Sequence, residues 1–218
     1  MKPDYKHIQY FLIPYFAVFS ILTFFVATMP KYELHLAMIA NRSLFADYFF
    51  KIWTEFGASF PYFIIAGLFF WRYSAGVFLV LSQSLGGLLS FVIKNIFKEP
   101  RPKLYFQLYH PEIVLPVVPG VKLWSTNSFP SGHTITAFAL FFGIALTVKN
   151  KWLKFACFIA AALVGYSRIY LSQHFAIDVL CGSLIGIISA WIFYPVYQKI
   201  GKKWKNHSLS EVFERKNI

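Results

Sequence analysis

The sequence predicts an all-α integral membrane protein, a bundle of six transmembrane helices with an interfacial helical segment between the first two spans, on three observations. Hydrophobic residues make up 57% of the 218, aromatic residues 21% and charged residues only 14%, with a mean hydropathy of +0.54. That is too apolar for a soluble domain of this length. Several apolar runs approach the roughly 20 residues that a helix rising about 1.5 Å per residue needs to cross about 30 Å of hydrocarbon. The basic residues, which give a formal net charge of +12, stand in short clusters at the ends of those runs. Such placement suits topology and anionic lipid, and it argues against nucleic acid as a partner.

The first run, about Ile8 to Met29, is too long and too aromatic for a cleaved signal peptide and lacks a small-x-small cleavage site. After it, Leu44, Phe45, Tyr48, Phe49, Trp53 and Phe56 recur at helical spacing among polar residues, which predicts a segment lying along the membrane interface. The second run, about Phe60 to Trp71, is the shortest, and the third covers about Ala75 to Phe97. The connection from Lys98 to Phe129 contains Pro100, Pro102, Pro111, Pro116 and Pro119, which exclude a long helix. Its length and aromatic content predict a packed, functional loop. The last three runs are about Gly132 to Val148, Trp152 to Tyr170 and Phe175 to Tyr197.

With six spans, the clusters at Lys2 and Lys6, at Arg72, at Lys149 to Lys154 and at Lys199 to Lys205 fall on one side. The positive-inside rule makes that side cytoplasmic, with both termini inside, in the plasma or inner membrane. Lys94, Arg101 and Arg168 fall on the other side and need another explanation. No repeat or linker divides the chain, so residues 1–218 read as a single membrane-embedded domain with a basic cytoplasmic tail at about 201–218. Cys157 and Cys181 lie within spans and read as small buried apolar residues.

Three polar clusters meet at the outer side under this topology. Lys94 closes the third span and Arg101 follows in the loop. Ser131, a natural N-cap after Pro130, starts the fourth span with Gly132 and His133. Arg168 ends the fifth span, and His174 and Asp178 begin the sixth. Taken singly, a lysine or arginine near a span end is usually a snorkelling anchor. Asp178 is different, because an unpaired carboxylate several residues into an apolar span is costly. His174, four residues earlier, shares its helical face.

Taken together, these residue types suit phosphoryl chemistry. Arginine, lysine and the free N–H groups of a helix N-terminus form a seat for a phosphate-like anion. An aspartate bonded to one ring nitrogen fixes the histidine tautomer and leaves the other nitrogen as nucleophile, which assigns that part to His174 and the orienting part to Asp178. His133, across the phosphate, would protonate the leaving oxygen, while Lys94, Arg101 and Arg168 stabilise charge on the equatorial oxygens. A zinc site built from His174, Asp178 and His133 is the competing reading. Three adjacent cations would repel the ion, and magnesium or calcium would want more carboxylates than Asp178 and Glu99 supply, so no metal and no cofactor is expected.

These residues resemble the motifs of the type 2 phosphatidic acid phosphatase (PAP2) family, which shares its site with vanadium haloperoxidases and glucose-6-phosphatase. The three motifs stand in order as Lys94 through Arg101-Pro102, Pro130-Ser131-Gly132-His133, and Ser167-Arg168 through His174 to Asp178. The resemblance covers residues 94–178 and holds only in general character before them. It implies a metal-free phosphatase with a phosphohistidine at His174, His133 as acid, Asp178 orienting, and Lys94, Arg101, Ser131, Gly132 and Arg168 holding phosphate. Ser167 would have a structural part. The apolar composition fits the family's membrane branch, with the site facing the periplasm or exterior.

A site at the membrane surface suits a lipid phosphate such as phosphatidic acid, phosphatidylglycerol phosphate, a polyprenyl diphosphate or a lipid A type glycolipid. From position in the loop, Tyr105, Tyr109, Lys122 and Trp124 are possible headgroup contacts. No obligate protein partner is evident in the sequence. A lipid transporter or scramblase, and a non-catalytic phospholipid-binding protein, are the alternatives; the first would usually show repeated or broken spans.

Overall fold

The structure, a computed structural model, describes residues 6–203. The basic tail lies outside them apart from its first residues. Among the described residues there are only helices and connections, in the order α1 (Gln9–Thr28), α2 (Lys31–Met38), α3 (Leu44–Trp53), a 3₁₀ turn (Thr54–Gly57), α4 (Phe60–Trp71), α5 (Tyr73–Phe97), α6 (Pro102–Tyr109), α7 (Gly132–Thr147), α8 (Lys151–Tyr170) and α9 (Ala176–Lys203).

Local chemistry sets the boundaries. The Ser43 hydroxyl caps α3 by accepting from the Ala46 amide, and the Asn150 side chain caps α8 by accepting from the amides of Trp152 and Leu153. Helix α5 stops at Phe97 because Lys98 turns into the left-handed region, with φ of 47°, and Pro100 follows. Pro102 opens α6, where its missing N–H costs nothing.

Among the described residues, four apolar helical stretches are long enough to cross a membrane: Gln9–Thr28, Tyr73–Tyr109, Lys151–Tyr170 and Ala176–Ile200. A fifth arises if Leu44–Gly57 and Phe60–Trp71, bent by 50° at their junction, count as one broken span. The expected second run is therefore the far half of a bent unit whose near half was read as interfacial. Helix α7, with 16 residues, rises only about 24 Å. It is apolar on every side and largely buried, packed by α5, α8 and α9, so lipid touches little of it.

Hydrocarbon outside the bundle is as apolar as the core, so close packing holds these helices together. Gly182 and Gly186, four apart on α9, let its backbone lie directly on α7. A Cβ at Gly182 would stand 2.8 Å from the Ser131 carbonyl oxygen, and one at Gly186 would stand 2.6 Å from that of Ile135. Phe138 and Phe142 of α7 also meet Phe11 of α1, with ring centroids 6.5 and 5.1 Å apart. Helix α1 is anchored there by Phe11 and Tyr15; Leu12, Phe19, Leu22 and Val26 are half-buried against the bundle, and many of its other side chains are exposed.

Candidate active site

The turn between α8 and α9 is closed by one acceptor. The Arg168 carbonyl takes the amides of both Gln173 and His174, at 2.9 and 3.1 Å. Ser172 passes through the left-handed region with φ of 50°. This places His174 just before α9 and Asp178 in its first turn, both buried. His174 Nδ1 lies 3.4 Å from Asp178 Oδ2, a contact too long and too poorly aligned to satisfy Nδ1 as a hydrogen bond. The same carboxylate oxygen accepts from the Phe175 amide at 2.9 Å and from the Ser128 hydroxyl at 2.5 Å. Burial pushes the His174 imidazole down to about 3; Asp178 opposes the shift, and Arg101 and Arg168 add to it. The ring is therefore neutral at physiological pH, with Nδ1 turned to the carboxylate and Nε2 left for other chemistry.

The start of α7 is fastened to α9. Ser131 is the N-cap that the sequence predicts, its Oγ accepting from the Thr134 amide and hydroxyl. Its own amide donates to the Asp178 carbonyl at 3.0 Å. That amide is not free for an anion, which narrows the seat of free N–H groups expected at this helix N-terminus. Ser167 likewise spends its hydroxyl on the Val164 carbonyl at 2.6 Å.

Cations from three elements gather beside His133. Arg168, His174, Arg101 and Lys94 all lie near enough to act on its charge, and Lys94 in turn feels Arg101, Asp178 and Arg168. The side chains are held by backbone carbonyls of the strap that precedes Pro130. Lys94 Nζ donates to the Asn127 oxygen at 2.6 Å, and Arg101 Nε donates to the Thr126 oxygen at 2.9 Å. Arg101 also reaches the carbonyl and side-chain oxygens of Gln173, each at 3.3 Å. Arg168 is buried; its Nη1 donates to Thr54 Oγ1 at 2.6 Å, and its Nε has no hydrogen-bond partner among the described residues.

Lys94, Gly132 and His133 line a cavity of about 430 Å³ with Gly57, Tyr62 and Ser90, between the 3₁₀ turn and α4 on one side and α5 and α7 on the other. A larger apolar cavity of about 590 Å³ lies between α1, α2, α8 and α9 and is lined by none of the motif residues. The four loop residues read as headgroup contacts are not brought together. Tyr105 packs its ring on Phe175 and Tyr109. Lys122 covers the Trp124 ring at 4.4 Å, and both are exposed. The Lys122 carbonyl, not its ammonium, meets the α8–α9 turn by accepting from Gln173 Nε2.

Three polar partners of the motif residues were missed in the sequence: Thr54, Ser128 and Gln173. Their side chains are common in turns, and only packing distinguishes them.

Residues 75–202 match the family model described as PAP2 superfamily. The chain belongs to the PAP2 superfamily. Among its relatives in the PAP2 superfamily, lipid A 4'-phosphatase of Porphyromonas gingivalis is 29% identical over 146 residues, covering 64% of this chain and 61% of that protein. The first curated relatives that it matches are thus spanned over less than two thirds of their length. The crystal structure of Aquifex aeolicus LpxE superposes with a TM-score of 0.64 at 30% identity, covering 75% of this chain and 93% of that one. That of the transmembrane PAP2 type phosphatidylglycerolphosphate phosphatase from Bacillus subtilis gives 0.63 at 27% identity, covering 90% and 98%.

Proposed function

We propose that the chain is an integral membrane phosphatase that removes phosphate from a lipid monoester or diphosphate through a phosphohistidine at His174. The observation that carries this reading is the strap at Asn127 and Ser128: the Asn127 carbonyl takes both Lys94 and Arg101 and the Ser128 hydroxyl holds Asp178 beside His174, with Arg168 and His133 in electrostatic reach. In the first step His174 Nε2 attacks phosphorus, the bond from phosphorus to the lipid oxygen breaks, and His133 gives that oxygen a proton. Asp178 stabilises the charge that forms on His174, and the three cations spread over the equatorial oxygens. Gly132 and the rest of the α7 N-terminus add their dipole. In the second step water attacks phosphorus, its proton passes to His133, and the bond to His174 breaks to release inorganic phosphate.

A lipid substrate is supported by the cavity at Lys94 and His133, whose lining runs along α5 from Gly86 to Lys94 and along α7 to Thr136. Relatives named for lipid A and phosphatidylglycerolphosphate phosphatases point the same way. The six spans of this reading are α1, the bent unit ending in α4, α5, α7, α8 and α9, with α2 along the interface. The site then lies at the end opposite Arg72 and Lys149 to Lys154, facing the periplasm or exterior, with both termini in the cytoplasm.

Purified protein assayed on a panel of lipid phosphates, with and without chelator, tests this. Phosphate release that resists chelator, is abolished in His174→Ala and passes through an acid-labile, alkali-stable phosphoenzyme is expected. Full activity in His174→Ala would refute the nucleophile, and chelator-sensitive turnover would refute the metal-free mechanism.

A further inference from the structure

Asp178 Oδ2 has three neighbours, and the shortest contact is not with the histidine. Ser128 Oγ stands at 2.5 Å, the Phe175 amide at 2.9 Å and His174 Nδ1 at 3.4 Å. Ser128 is fully buried and belongs to the strap before Pro130, outside the three motifs. Its own backbone is fixed, because its amide donates to the Glu99 carbonyl at 2.9 Å. The residue before it, Asn127, holds a positive φ of 57° and offers its carbonyl to Lys94 at 2.6 Å and to Arg101 at 3.5 Å. One short strap therefore touches the orienting carboxylate with a side chain and two phosphate-site cations with its backbone.

We infer that Ser128 is a positioning residue for the His174–Asp178 pair, holding the carboxylate in register with the strap that sets Lys94 and Arg101. This rests on the proposed reading of His174 as nucleophile. A carboxylate held by the Phe175 amide alone can rotate about its side chain. The hydroxyl, a donor to a charged acceptor, stops that rotation and keeps Oδ2 on the imidazole side. The strap then fixes two distances at once, that of the cations to the phosphate and that of the carboxylate to the nucleophile. Ser128 touches no reacting atom in this scheme, so its loss should slow the chemical step and spare anion binding.

The test compares Ser128→Ala, Ser128→Cys and His174→Ala in the full-length protein. It reads kcat and KM on a lipid phosphate and the inhibition constant of inorganic phosphate. Loss of one hydrogen bond to a charged group predicts a kcat about 10- to 100-fold lower in Ser128→Ala, with KM and phosphate inhibition within about threefold of the parent. The weaker thiol donor in Ser128→Cys should give an intermediate kcat, and it carries the test if the alanine variant does not fold. The inference is overturned if either Ser128 variant keeps the parent kcat, or if phosphate inhibition weakens as much as kcat falls. A dead His174→Ala beside a fully active Ser128→Ala refutes this inference alone, whereas an active His174→Ala refutes the reading beneath it.

Discussion

Replacing Gly182 by alanine should damage catalysis through packing alone. The added Cβ would stand 2.8 Å from the Ser131 carbonyl oxygen and 3.1 Å from Thr134 Cβ. Neither neighbour is the free end of a flexible chain. One is backbone, and the other is the root of a side chain whose hydroxyl is bonded to Ser131 Oγ. To reach ordinary contact, the start of α7 and α9 must part by roughly half an ångström, in the range where overpacking costs about 1–3 kcal/mol. The parting falls where the Ser131 amide meets the Asp178 carbonyl, so it also moves Gly132 and His133 away from His174. Misplacement by about 1 Å can cost on the order of 10²-fold in rate. About half that shift therefore predicts a kcat roughly tenfold lower, with a thermal midpoint several degrees lower in detergent. The control is Gly67→Ala on α4, where an added Cβ meets nothing within 4 Å and neither quantity should change. Parent-like kcat and midpoint in Gly182→Ala would show that the α7–α9 contact does not set the site's geometry.

Removing the Thr54 acceptor from Arg168 by Thr54→Val leaves a buried guanidinium proton without a partner, at a cost of about 1–3 kcal/mol. The expected result is kcat/KM roughly tenfold lower, with Thr54→Ser close to the parent; equal values for Val and Ser would remove Thr54 from the site. Arg101→Lys keeps the charge but not the fork that reaches Thr126, Asn127 and Gln173 together, so KM for a lipid phosphate should rise about tenfold, and an unchanged KM would contradict that account. Stability should also fall in acid. Burial lowers His174 to about 3 and, with Arg42 adding to the shift, His35 to about 4. Between those values and about 6.5 the unfolded chain binds protons that the folded one refuses, up to about 1.4 kcal/mol per pH unit for each histidine. The thermal midpoint should therefore drop steadily from pH 6.5 to pH 4.5 and stay flat from 6.5 to 7.5; a midpoint that rises on acidification would exclude neutral, buried imidazoles at both positions.

The bundle and the motif residues were legible because their signals are local and chemically rare. A carboxylate and a histidine four apart at the head of an apolar run demand each other, and the structure sets His174 Nδ1 3.4 Å from Asp178 Oδ2. The residues around them were not legible, because a hydroxyl in a turn carries no such demand. Thr54 sits in a stretch whose aromatic periodicity predicts an interfacial helix, yet that stretch bends by 50° into α4 and delivers Thr54 to Arg168. His35 shows the same limit. Nothing near it in the sequence is unusual for a membrane surface, but its ring is buried 5.2 Å from that of Phe175, whose amide holds Asp178.

The way the 98–129 loop is fastened shows a related limit. In a loop pinned by its carbonyls, side chains such as Tyr109, Lys122 and Trp124 stay exposed while the backbone makes the long-range contacts. Arg42 takes the Pro116 carbonyl, Lys51 that of Pro119, and Gln173 that of Lys122. Each anchor is a side chain from another element reaching the loop's backbone, and backbone acceptors are identical at every position of a sequence. Side-chain chemistry can therefore be read in advance where it acts on substrate. Where it acts on the main chain of a distant loop, only the fold discloses it. The Lys122 position carries both cases, an exposed ammonium over Trp124 and a carbonyl tied to the turn that holds His174. Its carbonyl, which no Lys122 substitution removes, is the part joined to the α8–α9 turn.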